Sequence, residues 1–266
     1  MIHIGVDPVA FNIGSLEVRW YGIFIALSIA TMALWVWYFG KRAGISSDLI
    51  LGSVTVAIPV GLIVSKLLYV IDTSDVGGFL ERGGLTVFGG IIGAILGAWI
   101  YFRIRKAPFG PLADIAAPGV ALAVAVGRIA CTLNGCCYGK PTSLPWGFAY
   151  THPDSEARPL NVAVHPTQVY EILLNLALFA VIFWILRGRL KPAGSLMVAY
   201  LALYSIGTFG IRFLRGDTEP FLGSLQEAQL VSLIIVAGAV FFFVTKTRWV
   251  RRKALVSEAR LDDSNP

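Results

Sequence analysis

The run Gly127-Arg128-Ile129-Ala130-Cys131-Thr132-Leu133-Asn134-Gly135-Cys136-Cys137-Tyr138-Gly139-Lys140 crowds a guanidinium, a carboxamide and every thiol of the chain into one short stretch. A guanidinium fork matches two phosphate oxygens at once. A thiol beside such a charge is drawn toward the nucleophilic thiolate. A second run, His165-Pro166-Thr167-Gln168-Val169-Tyr170-Glu171, supplies an imidazole and a carboxylate. A third, Arg212-Phe213-Leu214-Arg215, supplies two more cations. With Arg19 and Lys66 these are nearly all the unusual polar residues of an otherwise apolar chain. The chemistry they suit is recognition of an anionic phosphate headgroup, with thiols and an imidazole at hand for nucleophilic or proton-transfer work.

The elements that must position these residues are hydrophobic spans. The chain has 266 residues, 56% hydrophobic and only 14% charged, against roughly 25% charged in a soluble domain. Crossing a bilayer takes about 20 mainly apolar residues. Uncharged stretches run over Trp20–Gly40, Leu49–Ser65, Gly83–Phe102, Ile115–Gly127, Ile172–Leu186, Pro192–Ile211 and Ala228–Thr245. The shorter ones reach spanning length by including Lys66, Arg128 or Glu171. The pattern predicts an all-α integral membrane protein with seven transmembrane helices. No stretch reads as a separate soluble domain, so residues 1–266 are expected to form a single membrane domain. No removable signal peptide is expected, because Lys41 and Arg42, not a small-residue cleavage site, follow the first long apolar segment.

Loop charge sets orientation, since Lys and Arg gather on the cytoplasmic side. One side holds Lys41, Arg42, Arg103, Arg105, Lys106, Arg187, Arg189, Lys191 and the basic residues between Lys246 and Arg260. The other side is poorer in them: Arg19, Arg82, Arg128, Lys140, Arg158, Arg212 and Arg215. The N-terminus is therefore expected outside and the C-terminus inside, with residues 246–266 a basic cytoplasmic tail facing anionic lipid. The net charge of +6 reflects this bias, and nothing signals nucleic acid. The chemistry-bearing residues then collect on the outer side. Arg19 opens the first helix, Arg128 closes the fourth, Glu171 opens the fifth, and Arg212 and Arg215 close the sixth. Lys66 lies about 8 Å short of the outer end of the second. Ionisable groups at membrane depth usually face a cavity or a partner, although each taken singly could snorkel to the headgroups.

The stretch Gly83-Gly84-Leu85-Thr86-Val87-Phe88-Gly89-Gly90 opens the third helix. Gly93 and Gly97 read as helix packing, whereas the double glycines suit an unwound backbone or a close ligand approach. The proline-rich outer-side loop 138–166 is expected to fold over that face as a lid, with His152 solvated in it. His165 or Thr167 could cap the fifth helix, with Glu171 paired to an arginine. An outer compartment permits disulfides. Adjacent cysteines bridge only with strain, so a bridge would pair Cys131 with Cys136 or Cys137. No second Cys/His pair accompanies them, which argues against zinc, and no metal or organic cofactor is indicated.

The chain resembles the prolipoprotein diacylglyceryl transferases. The resemblance runs from His3-Ile4-Gly5-Val6-Asp7-Pro8-Val9-Ala10-Phe11 and Arg19-Trp20-Tyr21-Gly22 through Gly84 and Gly89-Gly90. It continues over Gly127-Arg128, Asn134-Gly135 and Gly139, the intact His165–Glu171 run, and Arg212–Arg215. It implies seven transmembrane helices in the bacterial inner membrane, with the active site toward the outer side. It implies transfer of diacylglycerol from phosphatidylglycerol, or another anionic phospholipid, to the lipobox cysteine of a preprolipoprotein. A thioether forms and glycerol phosphate leaves. The residues it points to are Arg128, Tyr21 and His165 for catalysis. For lipid and phosphate binding they are Arg128, Arg212, Arg215, Asn134, Gly139, Gly89 and Gly90, and Lys66 joins them by its place near the outer end of the second helix. Cys136 and Cys137 are candidate thiols.

The sequence departs from that family's pattern in places. Phe88 stands where the third-helix motif carries a histidine, Cys136 where a glutamate follows Asn-Gly, and Cys131 aligns with a usual asparagine. Thr208 and Arg212 occupy a usual arginine and glutamate, and Arg212 restores a positive charge one turn, about 5.4 Å, nearer the outer end. Phe88 is expected to line the lipid pocket, and the field of Arg128, Arg212 and Lys66 to stabilise the acceptor thiolate. Two other readings stay open: a divergent phospholipid-dependent transferase with another acceptor, and a non-catalytic lipid-binding paralogue.

Overall fold

The computed structural model describes residues 1–73, 87–218, 223 and 225–249. The expectations for Arg82, for Gly83-Gly84 and for the tail past residue 249 fall outside the described residues, as does the direction of the Phe88 side chain. The fold is mostly helical. Short strands β1 (Ile2–Ile4), β2 (Val9–Ile13) and β3 (Leu16–Arg19) lead into helices α1 (Trp20–Arg42), α2 (Ser47–Thr73), α3 (Val87–Ile104) and α4 (Phe109–Asn134). Strands β4 (Phe148–Tyr150) and β5 (Ala163–Val164) come next. Then follow α5 (Thr167–Ala180), extended by a wider π-type turn over Val181–Leu186, β6 (Leu190–Lys191), α6 (Ser195–Arg212), α7 (Glu227–Lys246) and β7 (Arg248–Trp249).

Among the described residues, six helices are long and apolar enough to cross a membrane, and Gly89–Ile104 within α3 is a shorter apolar segment. Helices α2, α4 and α7 overrun their uncharged stretches at both ends. Helix α4 takes in Asp114 and Arg128 because a charged residue ends an apolar run without ending a helix. Pro59 and Pro118 lie inside α2 and α4, where neighbouring helices can satisfy the backbone groups that proline frees.

The strands depart from the all-α expectation. At two to five residues each they are too short to show an alternating pattern. β1 runs parallel to β4, and β4 pairs antiparallel with β5. Ile2 N–H donates to the Gly147 carbonyl at 2.8 Å and Thr151 N–H to that of Ile4 at 3.0 Å. The N-terminus is thereby sewn into the 138–166 segment. β2 and β3 form a hairpin, and β6 pairs with β7.

Contacts divide the chain into two units, residues 33–115 and residues 1–32 with 116–266. In the first, α2 and α3 pack through glycines. A side chain at Gly93 would lie 2.7 Å from the Val60 carbonyl oxygen and 2.9 Å from the Gly61 Cα, and one at Gly97 would lie 3.2 Å from the Ala57 Cα. The packing reading of both glycines holds. Because the obstruction is backbone, Gly93→Val should force the helices apart at a cost of about 1–3 kcal/mol. Thermal unfolding in lipid nanodiscs, followed by tryptophan fluorescence, would register that loss. An unchanged melting temperature would refute the close approach.

In the second unit the core is built from Ala117 and Ala121 of α4, Leu178 and Ile182, and Leu196, Ala199 and Tyr200 of α6. Small residues on α4 let the bulkier side chains of its neighbours close over them. Polar ties fix the register. The Tyr200 hydroxyl donates to Asn175 Oδ1 at 3.0 Å, and Gln229 Nε2 of α7 donates to the Phe209 carbonyl of α6 at 3.1 Å.

Candidate functional site

Helix α4 delivers Arg128 and, three residues on, Cys131 to one face near its C-terminal end. The helix stops where Gly135 turns left-handed, at φ +82, with its N–H on the Cys131 carbonyl at 2.9 Å. Glycine is the residue of choice at such a stop. Cys137 is also left-handed, at φ +63, a conformation that costs a non-glycine residue of order 1–3 kcal/mol. Buried residues at the start of α5 hold it there. Thr167 Oγ1 donates to the Cys137 carbonyl at 2.5 Å, and Gln168 Nε2 donates to the Cys136 carbonyl at 2.7 Å. Thr167 therefore clamps the cysteine loop and does not cap α5, whose N-cap is Pro166 with no side-chain cap bond.

Glu171 lies one turn further along α5 and is 1% exposed. Its Oε2 meets Arg128 Nη2 at 2.5 Å, and its Oε1 is 3.9 Å from Arg215 Nη1. Arg215, just past α6, forks onto Asp217 with bonds of 2.6 and 2.7 Å. Burial works against the Arg215 charge, but the Asp217 bond and nearby groups outweigh it and raise its pKa. The expected Glu171–arginine pair is thus present, as the centre of a network joining α4, α5 and the end of α6. Arg212 sits within electrostatic reach of Arg215, Glu171 and Arg128 but makes no salt bridge among the described residues. Its Nε and the buried Thr208 Oγ1 one turn earlier have no hydrogen-bond partner there.

The thiols face this network. Arg128 Nη1 lies 3.4 Å from Cys137 Sγ and 3.9 Å from Cys131 Sγ. All three cysteines are free. Cys137 lies against the Cys131 and Cys136 thiols, and with these and with Arg128 and Arg215 nearby its pKa is pushed down despite burial. Cys136 is buried against both neighbouring thiols, so its pKa is pushed up. Tyr21 of α1 comes within electrostatic reach of the three thiols. Tyr204 of α6 interacts in the same way with Arg128.

The other expected site residues have more structural surroundings. Gly139 pairs by an antiparallel bridge with Arg215, and its N–H donates to the His165 carbonyl at 3.0 Å. A side chain there would meet the His165 carbonyl oxygen at 2.6 Å and that of Leu214 at 2.9 Å. Gly139 thus ties three segments of the site together. Gly139→Ala should displace Arg215 and lower both folded yield and phospholipid binding, by an amount typical of overpacking, about 1–3 kcal/mol. Wild-type binding by that variant would show the bridge to be dispensable. The Asn134 carbonyl accepts from Glu156 N–H at 3.0 Å. The His165 ring faces the Tyr170 hydroxyl, Nδ1 to O 3.4 Å, and that hydroxyl accepts from Trp146 Nε1 at 3.0 Å.

Lys66, Gly89 and Gly90 belong to the 33–115 unit. Lys66 is half-buried on α2, and a side chain at Gly61 of α2 would come within 3.0 Å of the Gly90 carbonyl oxygen. Arg19 is exposed and pairs with Glu17 at 3.5 Å, a type of contact that contributes little. The reading from sequence missed Asp217 and Tyr204. Asp217 was signalled by its place two residues after Arg215, while Tyr204 offered no signal beyond its helix.

Repeated long apolar helices, with arginines, a buried carboxylate and thiols gathered where three of them end or begin, define a multi-pass membrane protein with an arginine-rich, thiol-bearing site. The family model for prolipoprotein diacylglyceryl transferase matches residues 8–245, and the chain belongs to that family. It is 45% identical over 254 residues to the phosphatidylglycerol–prolipoprotein diacylglyceryl transferase of Dehalococcoides mccartyi strain 195, covering 93% of this chain and 96% of the relative. It is 37% identical to the enzyme of that name from Clostridioides difficile strain 630, over 90% and 95% of the two chains. The one from Trichormus variabilis is 34% identical, over 90% of each.

Proposed function

We propose that this protein transfers the diacylglyceryl group of phosphatidylglycerol to the lipobox cysteine thiol of a prolipoprotein, with Arg128 and Arg212 holding the lipid phosphate. The observation that carries this is the charge balance of the buried network. Arg128 and Arg215 are matched by Glu171 and Asp217, and Arg212 remains as a surplus cation with an unpartnered Nε among the described residues. A phosphodiester brings one negative charge and acceptor oxygens to such a place. Tyr21 borders the thiol-bearing side of the site, where an acceptor peptide would enter. His165, Asn134 and Gly139 shape it, and Lys66, Gly89 and Gly90 are candidate lipid contacts within the 33–115 unit. The direct test is transfer of labelled diacylglycerol to a lipobox peptide by purified protein, alongside complementation of a strain depleted of its own transferase. Failure of both with folded protein would refute the reading.

The same proposal includes seven crossings in the bacterial inner membrane as one membrane domain, the N-terminus outside and the C-terminus in the cytoplasm. Two contacts support it. The ends of α4 and α6 meet the start of α5, as alternate crossings require. Leu190–Lys191, between α5 and α6, pairs with Arg248–Trp249 after α7, so two basic connections share one side, as the charge rule demands of the cytoplasm. Reporter fusions after Lys191 and after Lys253 should both report cytoplasm. An external signal at either would overturn the orientation and the outward-facing site.

A further inference from the structure

The sulfurs of Cys131, Cys136 and Cys137 all lie within 4.8 Å of one another. In a tetrahedral zinc centre with Zn–S bonds of about 2.3 Å, the sulfurs stand about 3.8 Å apart. Closing around one ion thus takes movements of no more than about 1 Å. The convergence is built by the backbone. Gly135 reverses the chain, Cys137 holds a left-handed conformation, and Thr167 and Gln168 clamp the carbonyls of Cys137 and Cys136. A cysteine that merely fills space acts as a small apolar side chain and needs no such arrangement. The electrostatics point the same way. Three thiolates around a divalent cation leave a net negative charge. The Arg128 guanidinium lies 3.4 Å from Cys137 Sγ, close enough to attract it while still paired with Glu171. The spacing argued against zinc because a structural site needs four protein ligands. Three ligands and an open fourth position are instead the arrangement of catalytic zinc.

We propose that Cys131, Cys136 and Cys137 form a three-thiolate site for a thiophilic divalent ion of the zinc class, whose fourth position takes the acceptor cysteine as its thiolate. The inference rests on the diacylglyceryl-transfer reading. A free cysteine has a pKa near 8.5, so little thiolate exists at neutral pH, whereas a metal-coordinated thiol is deprotonated outright. On coordination the acceptor thiol loses its proton to solvent. Its sulfur then supplies the electron pair for a new bond to the glyceryl CH2 carbon. The bond from that carbon to the phosphate oxygen breaks, and its electron pair leaves on glycerol phosphate beside Arg128. The ion stays divalent and nothing is oxidised or reduced. The neutral thioether, a weak ligand, is then free to depart.

The experiment uses the full chain in nanodiscs under reducing conditions, loaded with Zn2+ or Co2+ and freed of excess metal. One ion per chain is expected, together with thiolate-to-cobalt charge-transfer absorption and protection of all three thiols from a maleimide. Both ion and absorption should vanish in the Cys131→Ser/Cys136→Ser/Cys137→Ser variant. Metal content no higher than that variant's, or thiols alkylated equally fast with and without Zn2+, overturns the site, and the second readout needs no variant to fold. Stripping the ion should slow transfer to a lipobox peptide at pH 6.5 by about 10²-fold or more, the scale of losing a general base, with recovery on adding Zn2+. Full transfer by the stripped protein overturns the role in acceptor activation and leaves the transferase reading standing. A protein that binds one ion per chain yet transfers nothing, loaded or stripped, overturns both.

Discussion

Arg128→Ala should lower diacylglyceryl transfer by about 10²–10³-fold, the usual loss on removing one group that stabilises a developing negative charge. The leaving glycerol phosphate gains charge as its bond to carbon breaks, and Arg128 is the cation that also reaches the thiols, 3.4 Å from Cys137 Sγ. Arg128→Lys is the sharper variant. It keeps the charge, but a single ammonium cannot reproduce the planar fork by which Arg128 spans Glu171 at 2.5 Å on one nitrogen and the thiols on the other. The lysine variant should therefore also be impaired, with kcat falling by a larger factor than the apparent KM for phosphatidylglycerol rises. Turnover in mixed micelles with limiting phosphatidylglycerol measures both, and intrinsic fluorescence checks that the variants are folded. Wild-type turnover by Arg128→Ala would remove Arg128 from the mechanism.

The sequence made the helices legible because lipid leaves so few solutions. An apolar run of about 20 residues with no place for unpaired backbone groups must be helical. It was less informative about their ends, as α4 shows by carrying Asp114 and Arg128 inside the helix. Strands such as β5, two residues long, have no pattern to read and exist because the 138–166 segment and the N-terminus need partners for their backbone groups. The arginines could be gathered to one side by counting charges along the loops. Their pairing could not, since Arg128, Glu171 and Arg215 are far apart in the chain and meet only through packing of α4, α5 and α6. The cysteines show the limit most clearly. Spacing alone suggests a bridge from Cys131 to Cys136 or Cys137 and no zinc site. What turns three thiols toward one point is the left-handed backbone at Gly135 and Cys137, held by Thr167 and Gln168 some thirty residues later.

Glu171→Gln should be the most damaging single change to the fold. The carboxylate is 1% exposed and, among the described residues, is the one acidic group shared by Arg128 and Arg215, while Asp217 serves Arg215 alone. Glutamine keeps the shape and removes the charge. Two guanidiniums would then face each other across a neutral amide, with Arg212 within reach of the same field. Breaking a buried ion pair from one side typically costs about 3–5 kcal/mol, because the remaining charge stays desolvated and uncompensated. A lower yield of folded protein and a lower unfolding temperature in nanodiscs are expected, even without substrate. A double-mutant cycle separates this cause from a simple packing defect. If the loss comes from stranded charge, adding Arg128→Gln to Glu171→Gln should recover part of it, with a coupling of about 0.5–3 kcal/mol between the two sites. Activity should stay low in the double variant, since the arginine is then missing. Additive losses would mean that Glu171 acts through packing alone, and the network could no longer be described as charge-balanced around its carboxylate.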